Sequence, residues 1–339
     1  MRREALVTLV AVMLACAAFS ADAALVEITR FNAGGGAFAG HFSPDGHRFA
    51  IACQDGTVKL YDADTWDLVW EKTLVENGMV LWVRFSPDGR SLVATITGQP
   101  DVIFLKPQTG AEVNRFTLPK KCANGKVFDA VHAFAISPDE AVLACGAFGN
   151  VCVSTVAAGT GDVLGTPIAH PSGEHPGLEF SPDGRFLAST SGNSVMVWDI
   201  EADEVRTLRT TGISNPQVVA FSPDGSILAV GGANATAALL FDTSTWEVTR
   251  LTASSRGFKA GAVGFSPDGR FFATGFRELK LWDGSTLELL SSNAIHDRAA
   301  SWLQFSPDGE QLVVVEVHVR VHWASSEVTV WRVADLIGE

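Results

Sequence analysis

Helical periodicity is missing from this chain. No long segment carries apolar residues at i, i+3, i+4 and i+7, and almost no helix is expected. Positive charge is scarce as well: 25 Lys and Arg stand against 38 Asp and Glu, for a net charge of -13. An excess of that sign repels phosphate backbones and argues against general nucleic-acid binding. Five cysteines with no C-x-x-C pair make neither a disulfide scaffold nor a zinc or dithiol redox centre. Glycine-rich phosphate loops and nucleophile elbows are absent too, which removes the commonest nucleotide and acyl-transfer signatures. What remains plentiful is apolar side chain, 47% of 339 residues, enough for a large packed core.

The first residues read differently from the rest. Met1-Arg2-Arg3-Glu4 is a short basic start, Ala5 to Phe19 is almost wholly apolar, and Ala21-Asp22-Ala23 supplies small residues before Ala24. That layout is a secretory signal peptide over residues 1–23, with cleavage expected before Ala24. An apolar stretch of about 15 residues is short of the roughly 20 that span a bilayer, so no stable membrane span is expected in the mature chain. The expected location is secreted, periplasmic or in a secretory-pathway lumen. Alternatives are a lipid anchor at Cys16, in Met13-Leu14-Ala15-Cys16, or a cytoplasmic chain if the N-terminus is not a signal.

Residues 24–339 repeat one unit seven times. Phe42-Ser43-Pro44-Asp45-Gly46 recurs from Phe85, Phe180, Phe221, Phe265 and Phe305, and a decayed copy reads Ile136-Ser137-Pro138-Asp139-Glu140. The steps are 43, 51, 44, 41, 44 and 40 residues, a blade-type period. Each unit holds an apolar strand such as Val218–Phe221 and a turn in which proline presets φ and glycine takes the positive φ. Further short strands follow, such as 227–230, 195–199 and 246–251. Four antiparallel strands in each of seven units make an all-β fold, a single seven-bladed β-propeller domain over residues 24–339. The last unit stops after its third strand, 328–333, and an orphan strand, 25–31, precedes the first turn. The orphan is expected to complete the last blade and close the ring without leaving an open edge.

These residues resemble the WD40-repeat family. Trp198-Asp199 and Trp282-Asp283 carry its dipeptide, with Tyr61-Asp62 and Phe241-Asp242 as variants, and the likeness covers about nine-tenths of the chain. The Gly-His pair that usually precedes the first strand is missing from the later blades, and the turn aspartate survives clearly only at Asp55. The family's His–Asp–Ser–Trp hydrogen-bond network is therefore expected to be mostly lost. The resemblance implies a rigid interaction platform without a catalytic centre, with no cofactor and with protein partners, whose identity the sequence does not carry.

Places where the chain breaks its own repeat are the candidates for function. The connection into the third unit is long and holds Lys120, Lys121 and Lys126. In the last unit, Val315 to Trp323 alternates valines with Glu316, His318, Arg320 and His322, which implies a polar strand face and a projecting hairpin. With Arg298, these make a candidate protein-binding surface: Lys120, Lys121, Lys126, Arg298, His318, Arg320 and His322. The turn aspartates should make the opposite face acidic, through turn chemistry rather than calcium ligation, since a wide ring keeps them apart. His41, Arg84, Glu179 and Gln304 precede the strand-ending Phe where other units carry Ala or Gly, a candidate polar cluster in the channel. Cys145 and Cys152 would face each other across a two-residue turn at Phe148-Gly149, a candidate disulfide in an exported protein. His170 and His175 share a loop but lack further ligands, and Asn234-Ala235-Thr236 is a glycosylation acceptor in a eukaryotic setting.

Three functional classes remain open on the sequence. The first is a noncatalytic scaffold for protein–protein interaction. The second is an exported propeller enzyme of the lactonase or quinoprotein kind, which would need acids, histidines or arginines converging at one channel mouth. The third is a ligand-binding propeller.

Overall fold

A computed structural model of the chain describes residues 23–118, 130–147, 152–158, 160–169, 177–213, 215–232, 237–252, 261–275, 277–295, 298–318 and 326–335. Every element in it is a strand, and the strands form seven four-stranded antiparallel sheets, the blades of a propeller. The first strand, β1 (Ala23–Asn32), belongs to the last blade. Blade 1 is β2 (Ala37–Phe42), β3 (Arg48–Cys53), β4 (Thr57–Asp62) and β5 (Leu68–Thr73), from the channel outward. Blade 2 is β6 (Val80–Phe85), β7 (Leu92–Ile96), β8 (Asp101–Leu105) and β9 (Glu112–Thr117). Blade 3 is β10 (Val131–Ile136), β11 (Val142–Ala147), β12 (Cys152–Ala157) and β13 (Val163–Ala169). Blade 4 is β14 (Leu178–Phe180), β15 (Phe186–Ser191), β16 (Ser194–Asp199) and β17 (Glu204–Arg209). Blade 5 is β18 (Pro216–Phe221), β19 (Ile227–Gly232), β20 (Ala237–Asp242) and β21 (Val248–Thr252). Blade 6 is β22 (Ala262–Phe265), β23 (Phe271–Gly275), β24 (Glu278–Asp283) and β25 (Leu289–Ala294). Blade 7 is β26 (Arg298–Phe305), β27 (Gln311–His318) and β28 (Ser326–Asp335), with β1 outermost.

The turn chemistry explains why this sequence makes seven equal hairpins. In every blade the buried serine donates to the turn aspartate at 2.5–2.7 Å. The aspartate accepts the N–H two residues on at 2.9–3.1 Å. The serine oxygen accepts the N–H five residues on at 2.8–3.0 Å, which seals the start of the second strand. The turn glycines sit at φ between +70° and +79°, open to glycine and strained for other residues.

Neighbouring turns also lock together. A Cβ placed on Gly46, Gly89, Gly184, Gly225, Gly269 or Gly309 would stand 3.4–4.0 Å from a proline Cδ of the preceding blade's turn. Gly46 meets Pro307 in this way, so the contact runs across the junction of the two chain ends. Blade 3 has Glu140 instead of glycine, held at φ 60°, and its carboxylate accepts from the Asp88 N–H of blade 2. The decayed repeat copy keeps the link to its neighbour through a side chain.

Closure follows the expected arithmetic. β1 pairs antiparallel with β28 from Ala23–Asp335 to Asn32–Glu327. The strict alternation expected for β27 fails, however: Glu316 is fully buried, as are Val313, Val314 and Val315. A middle strand of a propeller blade is covered on both faces by adjacent blades, so neither face of β27 is a polar one. Glu316 is tolerated because it is paired. Its carboxylate accepts from Thr329 Oγ1 at 2.7 Å, from Arg30 Nη1 at 3.1 Å and from Arg298 Nη1 at 3.4 Å. Arg298 also forks onto Glu327, and Arg30 onto Glu27. This network joins all four strands of the one blade built from both ends of the chain.

Candidate functional site

The four channel residues singled out by sequence come together. His41, Arg84, Glu179 and Gln304 line one central cavity of about 210 Å³, walled by inner strands of blades 1, 2, 4, 5, 6 and 7. At the same ring position blades 5 and 6 carry Ala220 and Gly264, which line the cavity opposite and leave its space open. Two indoles, Trp82 and Trp302, and the amide of Gln217 line it as well. The sequence reading missed them, although Trp82 and Trp302 stand two residues before Arg84 and Gln304, on the same side of a strand by its period of two.

Much of this polarity serves the ring. An innermost strand has one edge facing the channel, and its backbone donors there need partners. Gln304 Oε1 accepts the Phe42 N–H of the next blade at 3.0 Å, and the Glu179 carboxyl meets the Phe221 N–H, again in the next blade. His41 Nδ1 lies 3.3 Å from the Phe85 N–H and 2.8 Å from the Phe42 carbonyl; its tautomer decides which bond is made. Arg84 has no acceptor to offer the next blade. It donates instead to the Leu178 carbonyl across the ring at 3.4 Å, and its guanidinium lies 5.8 Å from the Trp82 ring centre.

Burial sets the charge states. Loss of water pushes His41 down to about 3, helped by the positive charge of Arg84, so the imidazole is neutral near pH 7. The same loss of water pushes Glu179 up to about 7, against the opposing pull of Arg84 and the Phe221 N–H. Arg84 itself is lowered by desolvation and raised in part by Glu179.

The candidate docking surface fares unevenly. Lys120, Lys121, Lys126, Arg320 and His322 lie outside the described residues, as do His170, His175 and Asn234. His318 ends β27 opposite Arg298, and its side chain is outside the described set. Arg298 is corrected: its side chain is only 15% exposed and is held by Glu316 and Glu327, so it is a structural cation rather than a docking one. The expected facing of Cys145 and Cys152 is corrected as well. Ser154 stands opposite Cys145 in the β11–β12 register, and Cys145 is a buried free thiol. The connection, which includes residues 148–151, is longer than the two-residue turn that would have aligned the pair.

On the turn face, the aspartates act as turn acceptors, in keeping with the turn-chemistry reading. The serine hydroxyl holds Asp45, Asp88, Asp139, Asp183 and Asp224 below the ordinary carboxylate value. The acidity expected there is met locally by Arg48 on Asp62 at 2.6 Å and Arg185 on Asp199 at 2.7 Å. Among the described residues, no group of three His, Cys, Asp or Glu is placed to hold a metal ion, and no helix is long and apolar enough to cross a membrane. Of the expected His–Asp–Ser–Trp network, a Trp282 Nε1 to Thr274 Oγ1 bond of 3.0 Å persists in blade 6, while Trp331 Nε1 finds no partner in blade 7.

Comparison with known proteins agrees with this geometry. The family model described as "WD domain, G-beta repeat" matches residues 36–62 and 161–199. An uncharacterized WD repeat-containing protein of Synechocystis is 30% identical over 147 residues, 40% of this chain and 39% of that protein. The serine-threonine kinase receptor-associated protein of Dictyostelium discoideum is 32% identical over 110 residues, 32% of this chain and 36% of the relative. The periodic tryptophan protein 2 homolog of the same organism is 25% identical over 278 residues, 80% of this chain and 26% of that protein. The chain thus spans well under half the length of these relatives. Seven four-stranded blades, repeated turns and these matches make the chain similar to proteins of the WD40-repeat family and support that reading of it.

Proposed function

We propose that this chain is an exported, noncatalytic platform for protein–protein contact. WD40 propellers serve protein–protein interaction in general, and export and the choice of face are the finer parts of the reading. The observation that carries it is the uniformity of the ring: each turn is bonded in one way and packed on the turn before it. Regular loops cannot distinguish one angular position from another, so a partner must read what departs from the repeat. The departures in sequence are the three lysines at 120, 121 and 126 and the long connection between Val317 and Val328. Lysines in an otherwise acidic chain suit an acidic partner, with association that slows as salt screens the attraction. Export is supported by the short basic start and the apolar stretch from Ala5 to Phe19.

The test is capture of partner by the mature chain, residues 24–339, compared with two variants. Lys120, Lys121 and Lys126 replaced by Ala should slow association with little change in melting temperature, since lysine is seldom buried and surface substitutions usually cost under about 0.5 kcal/mol. A chain shortened only within residues 319–325, between the strand ends His318 and Ser326, should bind more weakly still. Wild-type binding by both would move the contact to the turn face. N-terminal sequencing of exported protein should begin near Ala24, and recovery of Met1 would remove the export reading.

A further inference from the structure

Two opposite charges face the channel cavity without meeting. Arg84 on β6 and Glu179 on β14 both line it, yet no salt bridge joins them, and Arg84 makes one long bond to a carbonyl. Arg84 and Glu179 are each half-buried against the cavity, and charges withdrawn even in part from water are ordinarily paired or hydrogen-bonded, because an isolated one is costly. Here a cation with five donors and a carboxylate line one open space of about 210 Å³ with no ion pair between them. That is smaller than the pockets of drug-sized ligands, about 300–1,000 Å³. Val219, Val263 and Leu303 belong to the apolar part of its wall. Gln304 has its oxygen committed to Phe42, which leaves its amide donors for the cavity.

The charges select among occupants. An anion alone would suit Arg84 and be repelled by Glu179; a cation alone would meet the reverse. A molecule carrying both charges a few ångströms apart satisfies both and adds no net charge to a half-buried site. We propose that the channel binds a small zwitterion of the α-amino-acid type, its carboxylate on Arg84 and the Gln304 amide and its ammonium on Glu179. The cavity size and the apolar wall favour a short aliphatic side chain. The space for it comes from Ala220 and Gly264, where blades 1, 2, 4 and 7 project polar groups. This site is independent of any protein docking at the loops.

Glu179 must be ionised to hold the ammonium. The titratable groups facing it are Arg84 on β6 and His41 on β2, while the flanking β10 and β18 present Ala135 and Ala220. Binding is therefore measured at pH 8, above the value near 7 of the free site. Calorimetric titration of the intact chain with glycine, L-alanine, acetate and ethylamine should give binding of glycine or L-alanine at least tenfold tighter than that of either single-charge probe. Arg84→Gln and Glu179→Gln should each weaken the amino acid tenfold or more, and Glu179→Gln should leave acetate unweakened. Absence of glycine and L-alanine binding to the wild type overturns the proposal. So does acetate or ethylamine binding as tightly as the amino acids, which would mark a plain anion or cation site. Should Arg84→Gln fail to fold, the four-probe comparison on the wild type decides alone.

Discussion

Two rings run around this propeller, and they are built on opposite plans. At the turns, seven blades carry nearly the same residues, making the same three hydrogen bonds each. In the channel, the seven equivalent positions read His41, Arg84, Ala135, Glu179, Ala220, Gly264 and Gln304, no two polar ones alike. The turn ring is local chemistry repeated, so every copy holds its own hairpin and its neighbour. The channel ring is long-range, and its side chains reach into the next blade or across the opening. Regularity there would have filled the axis with seven copies of one group; variety leaves a cavity with a charge on each side.

Blade 7 tests that contrast most severely, because both chain ends meet in it. Removing residues 23–32 strips the outer strand from β28, exposes an unpaired edge and separates Arg30 from Glu316. No stable monomer is expected, and size-exclusion chromatography should show aggregation; a monomer that melts like the full chain would mean the ring closes elsewhere.

The next largest effect is expected from Glu316→Ala, which leaves Arg298 partly buried and short of a partner. Breaking a buried pair from one side costs about 3–5 kcal/mol, to be measured by urea unfolding. Replacement of the whole cluster by apolar residues should cost much less, since the network's role is to register four strands rather than to add net stability.

Single members of the two rings sharpen the comparison. Gln304→Ala leaves the Phe42 N–H without its acceptor, and Ser222→Ala removes the hydroxyl that joins Asp224 to the Ile227 N–H. Each should cost about 1–3 kcal/mol, the penalty for orphaning a buried donor. The Ser222 loss should be near additive with Ser266→Ala in another blade if the turns act independently; strong coupling would show that the turn ring works as one body.

The smallest effect is one of pH, and its sign differs between channel residues. His41, lowered from 6.5 to about 3, contributes stability that is present above about 6.5 and lost as pH falls toward 3. Glu179, raised from 4.5 to about 7, acts the other way: its protonated form favours the fold, and stability is lost as pH rises from about 4.5 to 7. Between about pH 4.5 and 6.5 the two slopes oppose and the wild type should be nearly flat. Glu179→Gln should expose the His41 slope, with stability falling by up to about 1.4 kcal/mol per unit as pH drops. A variant as flat as the wild type would show that His41 titrates normally. Below pH 4 the turn aspartates, held low by serine, add a further loss as they protonate.

Much of this was legible in the chain because the signals are local. Ser-Pro-Asp-Gly specifies a turn wherever it stands, its period counts the blades, and the orphan strand at 25–31 names its own partner by the gap at the end. The channel set was legible for the same reason: one position before the strand-ending Phe is one place on the ring. The errors came where local pattern meets packing. Alternation in β27 reads as one polar face, but a blade's middle strand has none, and Glu316 and Arg298 became an interior pair. Cys145 and Cys152 were aligned by assuming a turn length, and hairpin register depends on the loop that is made.

Sequence by itself therefore determined the unit, its count and the closure, because these rest on turn geometry and strand period within a few residues. Tertiary structure alone decided which polar groups meet. Arg84 and Glu179 are 95 positions apart in the chain and face one cavity only because four-stranded blades wind about a common axis, and burial there, not residue type, sets what each can hold.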